Sequence, residues 1–358
     1  WNAFRTVADN LLWIRQDRVL FTSILGFAFF FFLGTLLTLN LNVYGLRTMD
    51  VGEAYTSLLM IFLAVGIGAG SLLAGRLSGD KIELGLVPLG IVGLVPSLLF
   101  YLYPLESLIA AYAGMVVVGL AGALFLIPLQ TILQERPPDD NVGDALGTAN
   151  ILTFVGVLVA SAVYMILIGW YNVSAPTLML LLSLTTSMTG VALVLALPHL
   201  LLRSIGWLLL KGYSVQVEGR DKLPLIGPGI LVVDQEEPID TFLFNGVFSR
   251  FLRYVNSDHV RNVPGLASLL RPVDPRSARP DGRASGGWYH EDEFLYWAPE
   301  DPEKRLRDGD SSWESLKDFA EARNLPLIPV SIRHGEGRDL TVRVKSPREP
   351  NEWASFSD

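Results

Sequence analysis

The sequence predicts an α-helical membrane bundle of six transmembrane helices over its first two hundred residues, followed by a cytoplasmic α/β domain. Three observations lead there. Half of the 358 residues are apolar, mean hydropathy is +0.38 and only 18% of residues are charged, too apolar a balance for one ordinary water-soluble domain. Charge is also unevenly spread: residues 1–211 hold 9 Lys and Arg with 11 Asp and Glu, against 19 and 25 in residues 212–358. Finally, six stretches of the first part stay apolar for the roughly 20 residues that cross a bilayer, without the polar face that a helix of a soluble protein would carry.

Taken in order, the spans cover residues 19–42, 54–75, 84–103, 107–132, 146–169 and 175–198, each bounded by charges or turn formers. Short cytoplasmic loops are enriched in Lys and Arg, which fixes the orientation. Arg5, Arg15 and Arg18 precede the first span, Arg76 and Lys81 follow the second, Arg136 the fourth, and Arg203 and Lys211 the sixth. The opposite loops offer Arg47 beside Asp50 and Glu53, then Glu106, then the uncharged YNVSAP of residues 171–176. Both ends of the bundle are therefore expected in the cytoplasm.

Polar side chains within such spans tend to face a cavity or another helix, because hydrocarbon offers them no partner. Asn40, Gln130, Thr131, Asn150 and Thr153 are the candidate substrate-binding residues, with helix-to-helix hydrogen bonding as the competing reading of each. Glu135 and Arg136 read as interfacial charges. Gly66 and Gly70 in GIGAGSLLAG form a small-residue face suited to close helix packing.

Several classes of function are excluded. A net charge of −8 and a pI near 5.1, with no clustered basic face, argue against nucleic acid as a partner. The chain has no cysteine, and His199, His259, His290 and His334 lack metal-ligand spacing, so no metal is expected. The chain begins with Trp1 and shows no signal-peptide pattern, which suggests a piece of a longer protein.

The loop GRLSGDKIELG, with Gly75, Arg76, Gly79 and Lys81, resembles the basic, glycine-rich gating loop of major facilitator transporters. The strings DRVLFTSILGFAFFFFLGTLLTLNLNVYG, GIGAGSLLAGRLSGDKIELGLVPLG and PLQTILQERPPDDNVGDALGTANILTFVG resemble the second half of bacterial lysophospholipid transporters. The resemblance spans about residues 11–200. It implies half of a major facilitator fold in a bacterial inner membrane, a lysophospholipid as cargo, and a missing first six-helix half as partner. Residues 1–18 then correspond to the amphipathic linker between halves, 19–200 to the six-helix half and 201–211 to a second linker.

Residues 212–350 change character to short β runs and polar helices, with 351–358 as a tail. SVQVEG (214–219) and TVRVKS (341–346) alternate as half-buried strands do, whereas ILVVD (230–234) and LPLIPVSI (325–332) suit a sheet covered on both faces. SSWESLKDFAEARN (311–324) reads as a helix, and WYHEDEFLYW (288–297) as a surface or interfacial loop. His334 and Asp339 in HGEGRD match a His-to-Asp spacing of acyltransferases but follow the late strand, so the match is attributed to chance.

VQVEGRDKLPLIGPGILVVD, NVPGLASLL and LPLIPVSI resemble the framework of glycerolipid acyltransferases of the phosphatidate-forming type. In that family a His separated by four residues from an Asp is the general base on the acceptor hydroxyl, and a Phe-Pro-Glu-Gly motif with a following Arg holds the acceptor phosphate. The matching strings here are DQEEPID and APEDPEK. Asp240 and Glu300 are retained with Pro299, but Gln235 stands at the His, Asp301 at the glycine and Glu303 at the arginine. A glutamine does not take up the proton, and a carboxylate repels a phosphate. The resemblance thus implies a transporter of lysophospholipids joined to a catalytically impaired acyltransferase domain. Two alternatives stay open: an active acyltransferase that reacylates lysolipid, or a non-catalytic lipid-binding scaffold. An acyl thioester of acyl carrier protein or coenzyme A is a co-substrate only in the active case, with acyl carrier protein or an acyl-activating domain as a possible partner; no bound cofactor is expected.

Overall fold

The computed structural model describes residues 2–78, 83–103, 105–210, 212–219, 222, 229–233, 240–248, 251–254, 293–297, 317–318, 320–321, 325–335 and 339–348. It divides into two compact units, Trp1–Leu200 and Leu201–Asp358.

Among its described residues the first unit is helical, with α1 (Asn2–Ile14), α2 (Arg18–Val43), α3 (Glu53–Ser78), α4 (Leu86–Leu99), α5 (Leu108–Glu135), α6 (Val142–Tyr164) and α7 (Ala175–Ala196). Capping residues set where three of them start. Asp17 Oδ1 accepts from the backbone N–H of Val19 at 2.9 Å and Leu20 at 3.1 Å, and Ser107 and Ser174 cap α5 and α7 in the same manner. The helices α2 and α6 each end in a wider π turn, Tyr44–Thr48 and Met165–Trp170. Each π turn is followed by a residue in the left-handed region, Asp50 (φ 52) and Asn172 (φ 51), two residue types that tolerate it.

Among the described residues, five helical stretches are long and apolar enough to cross a membrane: Arg18–Thr48, Glu53–Ser78, Leu108–Glu135, Asp139–Trp170 and Ala175–Ala196. The third span, expected at 84–103, is present but is shorter than the rest. Its apolar helix is Leu86–Leu102, or about 25 Å long at 1.5 Å per residue. The reason lies at its start, where Glu83 Oε1 accepts from the Gly85 N–H at 3.2 Å and holds residues 83–85 in a turn. The sixth span also stops earlier than expected. Leu197 is not helical and precedes Pro198, which disfavours helix in the residue before it. A separate helix α8 (Pro198–Leu210) then covers the stretch expected to be a linker.

α5 is the hub of the bundle, packing against α3, α4 and α2. Small residues permit the contacts. A Cβ on Gly66 or Gly70 of α3 would collide with the backbone of Val116 or Leu120 in α5, and one on Gly119 of α5 would collide with Leu63 and Ile67. The two backbones interlock through glycines on both sides, which is the packing role expected of Gly66 and Gly70. The helix α6 packs chiefly on α2 and leaves Ile151, Phe154, Val155, Leu158 and Val159 exposed.

The second unit is built on a six-stranded sheet: β1 (Ser214–Glu218), β2 (Gly229–Val233), β3 (Phe251–Tyr254), β4 (Glu293–Trp297), β5 (Leu327–His334) and β6 (Asp339–Val344). Strand order is β1-β6-β5-β2-β4-β3, and every pairing is parallel except the β5–β6 hairpin. All five residues of β2 are buried, as the unbroken apolar run ILVVD requires of a central strand covered on both faces. The four expected strands are present. In contrast, residues 293–297, expected in a loop, form β4. The acidic residues Glu291, Asp292 and Glu293 ahead of FLYW masked a strand that tertiary pairing with β2 and β3 selects.

Helix α9 (Asp240–Val247) packs Leu243, Phe244 and Val247 into the core with Leu231, Val233, Ile328 and Val330. Leu209 and Leu210 of α8 add to that core, and Gly246 of α9 meets the backbone of Gly206 and Trp207 so closely that no side chain fits. Gly219 ends β1 with φ +75, where a Cβ would collide with the Val344 carbonyl oxygen.

Candidate functional site

In the membrane unit the candidate polar residues separate into two groups at opposite ends. Asn40 lies 22 residues into α2, about 33 Å from its start. It is fully buried, and its Nδ2 donates to the Ala175 carbonyl at the start of α7, 3.0 Å away. Its Oδ1 has no hydrogen-bond partner among the described residues. This arrangement is a helix-to-helix tie.

The other four gather near the end where α5 finishes and α6 begins. Gln130 is about 9 Å along α5 from Arg136, and Asn150 about 12 Å along α6 from Val142. Gln130 and Asn150 are exposed on the surface of the unit, whereas Thr131 and Thr153 are half-buried. Thr131 Oγ1 donates back to the Ile127 carbonyl at 3.0 Å, while Thr153 Oγ1 is buried with no hydrogen-bond partner among the described residues. Asn150 lies one helical turn before both Thr153 and the exposed, apolar Phe154 on α6. The result is a helix surface that is largely apolar with a few neutral hydrogen-bonding groups.

Of the glycine-rich loop, Gly75 and Arg76 close α3 and are exposed. Gly79 and Lys81 lie outside the described residues. One pair that sequence reasoning did not join is Asp17 with Arg136: Arg136 Nε donates to Asp17 Oδ2 at 2.5 Å. The two are 119 residues apart, and no local pattern connects them. Asn10 of α1 likewise donates from Nδ2 to Thr148 Oγ1 of α6 at 3.3 Å.

In the α/β unit Asp240 is the first residue of α9, seven positions after the end of β2. Gln235 and Glu300 lie outside the described residues. The strands that precede both motifs are nonetheless neighbours: β2 and β4 run parallel with Val232 paired to Trp297. The strings DQEEPID and APEDPEK therefore follow directly on two strand ends that stand side by side. Carboxyl ends of parallel strands are where open α/β sheets place their ligands. The decoy pair takes a different position. His334 closes β5 and Asp339 opens β6, on the antiparallel hairpin of the sheet.

The chain matches no curated protein. A solved structure similar to part of it is the 1-acyl-sn-glycerophosphate (LPA) acyltransferase PlsC from Thermotoga maritima, at 19% identity and a TM-score of 0.31, covering 44% of this chain and 72% of that one. Residues 1–161 match the sequence profile of the Major Facilitator Superfamily. That match lies within the first unit, and the second unit, with its α/β sheet, lies outside it.

Proposed function

We propose that the chain is part of a lysophospholipid transporter whose attached α/β domain has an acyltransferase framework with impaired chemistry. The observation that carries the transport half is the family match over residues 1–161, combined with the exposed Gln130 of α5 and Asn150 of α6 among apolar neighbours. A lysophospholipid has one acyl chain and a polar head, and such a surface suits both. The exposed face of α6 is where the second six-helix half implied by the resemblance would pack. The distribution of Arg and Lys supports a reading in which both ends of the unit face the cytoplasm, and the resemblance to bacterial transporters supports an inner-membrane location.

The reading of the α/β domain rests on Gln235. With no proton acceptor at the position of the family's base, and with Glu303 where a phosphate-binding cation belongs, transfer to an acceptor hydroxyl is slowed by about 10²- to 10⁴-fold from the base alone. The second reading, an active enzyme drawing on acyl carrier protein or coenzyme A thioesters, is favoured by one observation, the retention of Asp240 at the start of α9. Purified full-length protein with lysophospholipid and an acyl thioester separates the two. Absence of diacyl product above background supports the impaired reading, and product that Asp240→Ala abolishes overturns it.

A further inference from the structure

One open face of α2 changes character along its length. Phe27, Phe31, Thr35, Thr38 and Asn42 follow one another three or four residues apart, which keeps all five on one side of the helix. Phe27 and Thr35 are half-buried, while Phe31, Thr38 and Asn42 are exposed. The lower part is aromatic, with the Phe27 and Phe31 rings 5.1 Å apart between centroids. From Thr35 to Asn42 the stripe is polar and rises about 10 Å along the axis, toward the exposed Arg47 in the π turn that finishes α2. Tyr164 of α6 donates to the Leu39 carbonyl at 3.1 Å and fixes α2 at the height of Thr38.

Each level of the stripe offers one kind of hydrogen-bonding group. Thr35 and Thr38 spend their hydroxyl protons on the carbonyls of Phe31 and Gly34, at 2.8 and 2.6 Å, so what they present outward is acceptor lone pairs. One turn on, Asn42 makes no side-chain hydrogen bond among the described residues. Arg47 makes no ion pair among them. Glu53, close to it in sequence, stands in the first turn of α3, where the amino end of a helix favours an anion. Donors and positive charge therefore lie at the Arg47 end, acceptors one turn below, and phenyl rings below those. Polar groups on an open face of a membrane helix call for a partner, because hydrocarbon gives them none.

We propose that this face of α2 is a binding site for a monoacyl phospholipid, with the phosphate on Arg47 and Asn42, the free glycerol hydroxyl on Thr38, and the acyl chain along Phe31 and Phe27. A phosphodiester is anionic and only accepts hydrogen bonds, which matches the donor end. A monoacyl lipid differs from a diacyl one by a free hydroxyl, a donor, and the threonines are left to accept. That hydroxyl is how the site tells the two apart. The monoacyl assignment rests on the transporter reading above; recognition of a phosphate-bearing amphiphile does not.

Binding to the full-length protein in detergent is read by displacement of fluorescent lysophosphatidylethanolamine. No transport is involved, so a protein that binds but moves no lipid leaves the site standing. Three competitors separate the groups: lysophosphatidylethanolamine itself, its analogue without the glycerol hydroxyl, and monoacylglycerol, which has no phosphate. Arg47→Gln is expected to weaken lysophosphatidylethanolamine about tenfold and leave monoacylglycerol unchanged, with Arg47→Lys recovering most of the loss. Thr38→Val is expected to weaken lysophosphatidylethanolamine about threefold and leave the analogue without the hydroxyl unchanged. A stripe that only packs against another helix would instead lower thermal stability in these variants and weaken all three competitors alike. That result, or equal binding by Arg47→Gln and the parent, overturns the site. Displacement by diacyl phosphatidylethanolamine as strong as by the lysolipid would make the stripe the seat of a resident bilayer lipid and overturn the monoacyl assignment.

Discussion

The carbonyl oxygen of Val116 in α5 occupies the space that a Cβ on Gly66 of α3 would need. Neither partner has a flexible side chain to move aside, so the two helices must separate to admit anything larger than hydrogen. Gly66→Val is expected to destabilise the bundle by about 1–3 kcal/mol. Gly68→Ala, two residues away with no atom within 4 Å of its would-be Cβ, is expected to be tolerated. Thermal unfolding of the detergent-solubilised protein, followed by loss of monodisperse protein, compares them; equal midpoints would contradict the interlocked packing.

Asn40 is expected to matter for stability and little for substrate. Removing its bond to the Ala175 carbonyl with Asn40→Ala costs about 1 kcal/mol and lowers the melting temperature, leaving the KM for lysophospholipid unchanged. A raised KM at unaltered stability would return Asn40 to the substrate path.

Gln130 and Asn150 are expected to behave in the opposite way. Both are exposed on the unit's surface, so Gln130→Ala and Asn150→Ala should leave thermal stability within about 0.5 kcal/mol of the parent. Each should weaken lysophospholipid transport several-fold through KM. Initial rates across a range of lysolipid concentrations in proteoliposomes separate this from a folding defect.

For the α/β domain, Gln235→His restores a group that takes up the acceptor proton, and Glu303→Arg a cation for the acceptor phosphate. The double variant is expected to raise acyl transfer by about 10²-fold or more over the parent. Diacyl product resolved from lysolipid measures it. A parent chain already as fast as the double variant would show that Gln235 does not limit the chemistry.

Much of this arrangement was legible in the residues. The apolar runs located the membrane helices to within a few positions, because a stretch that must satisfy its backbone in hydrocarbon has no alternative to helix. Alternating SVQVE and unbroken ILVV identified β1 and β2 for the same kind of reason, each pattern matching the burial of its strand's faces. The strand β4 escaped notice because its pattern is local only in part: EFLYW becomes a strand through pairing with β2 and β3, partners 35 or more residues away. The third span was placed to within two residues at its start and one at its end, the difference at the start being the turn that Glu83 and Gly85 form. Polar residues in the spans were found, but their grouping was not. Whether Asn40 faces a neighbour or a path is decided by Ala175, 135 residues along the chain, and the tie between Asp17 and Arg136 is equally remote.

The most direct test of the account is movement of lipid by the full-length protein in proteoliposomes. Fluorescent lysophosphatidylethanolamine placed in one leaflet is followed by quenching from outside, with acyl thioester present and products resolved afterwards. The account predicts protein-dependent crossing of the lysolipid, faster than that of a diacyl lipid, with no acylated product. No crossing above protein-free vesicles, together with accumulation of diacyl product, would contradict it.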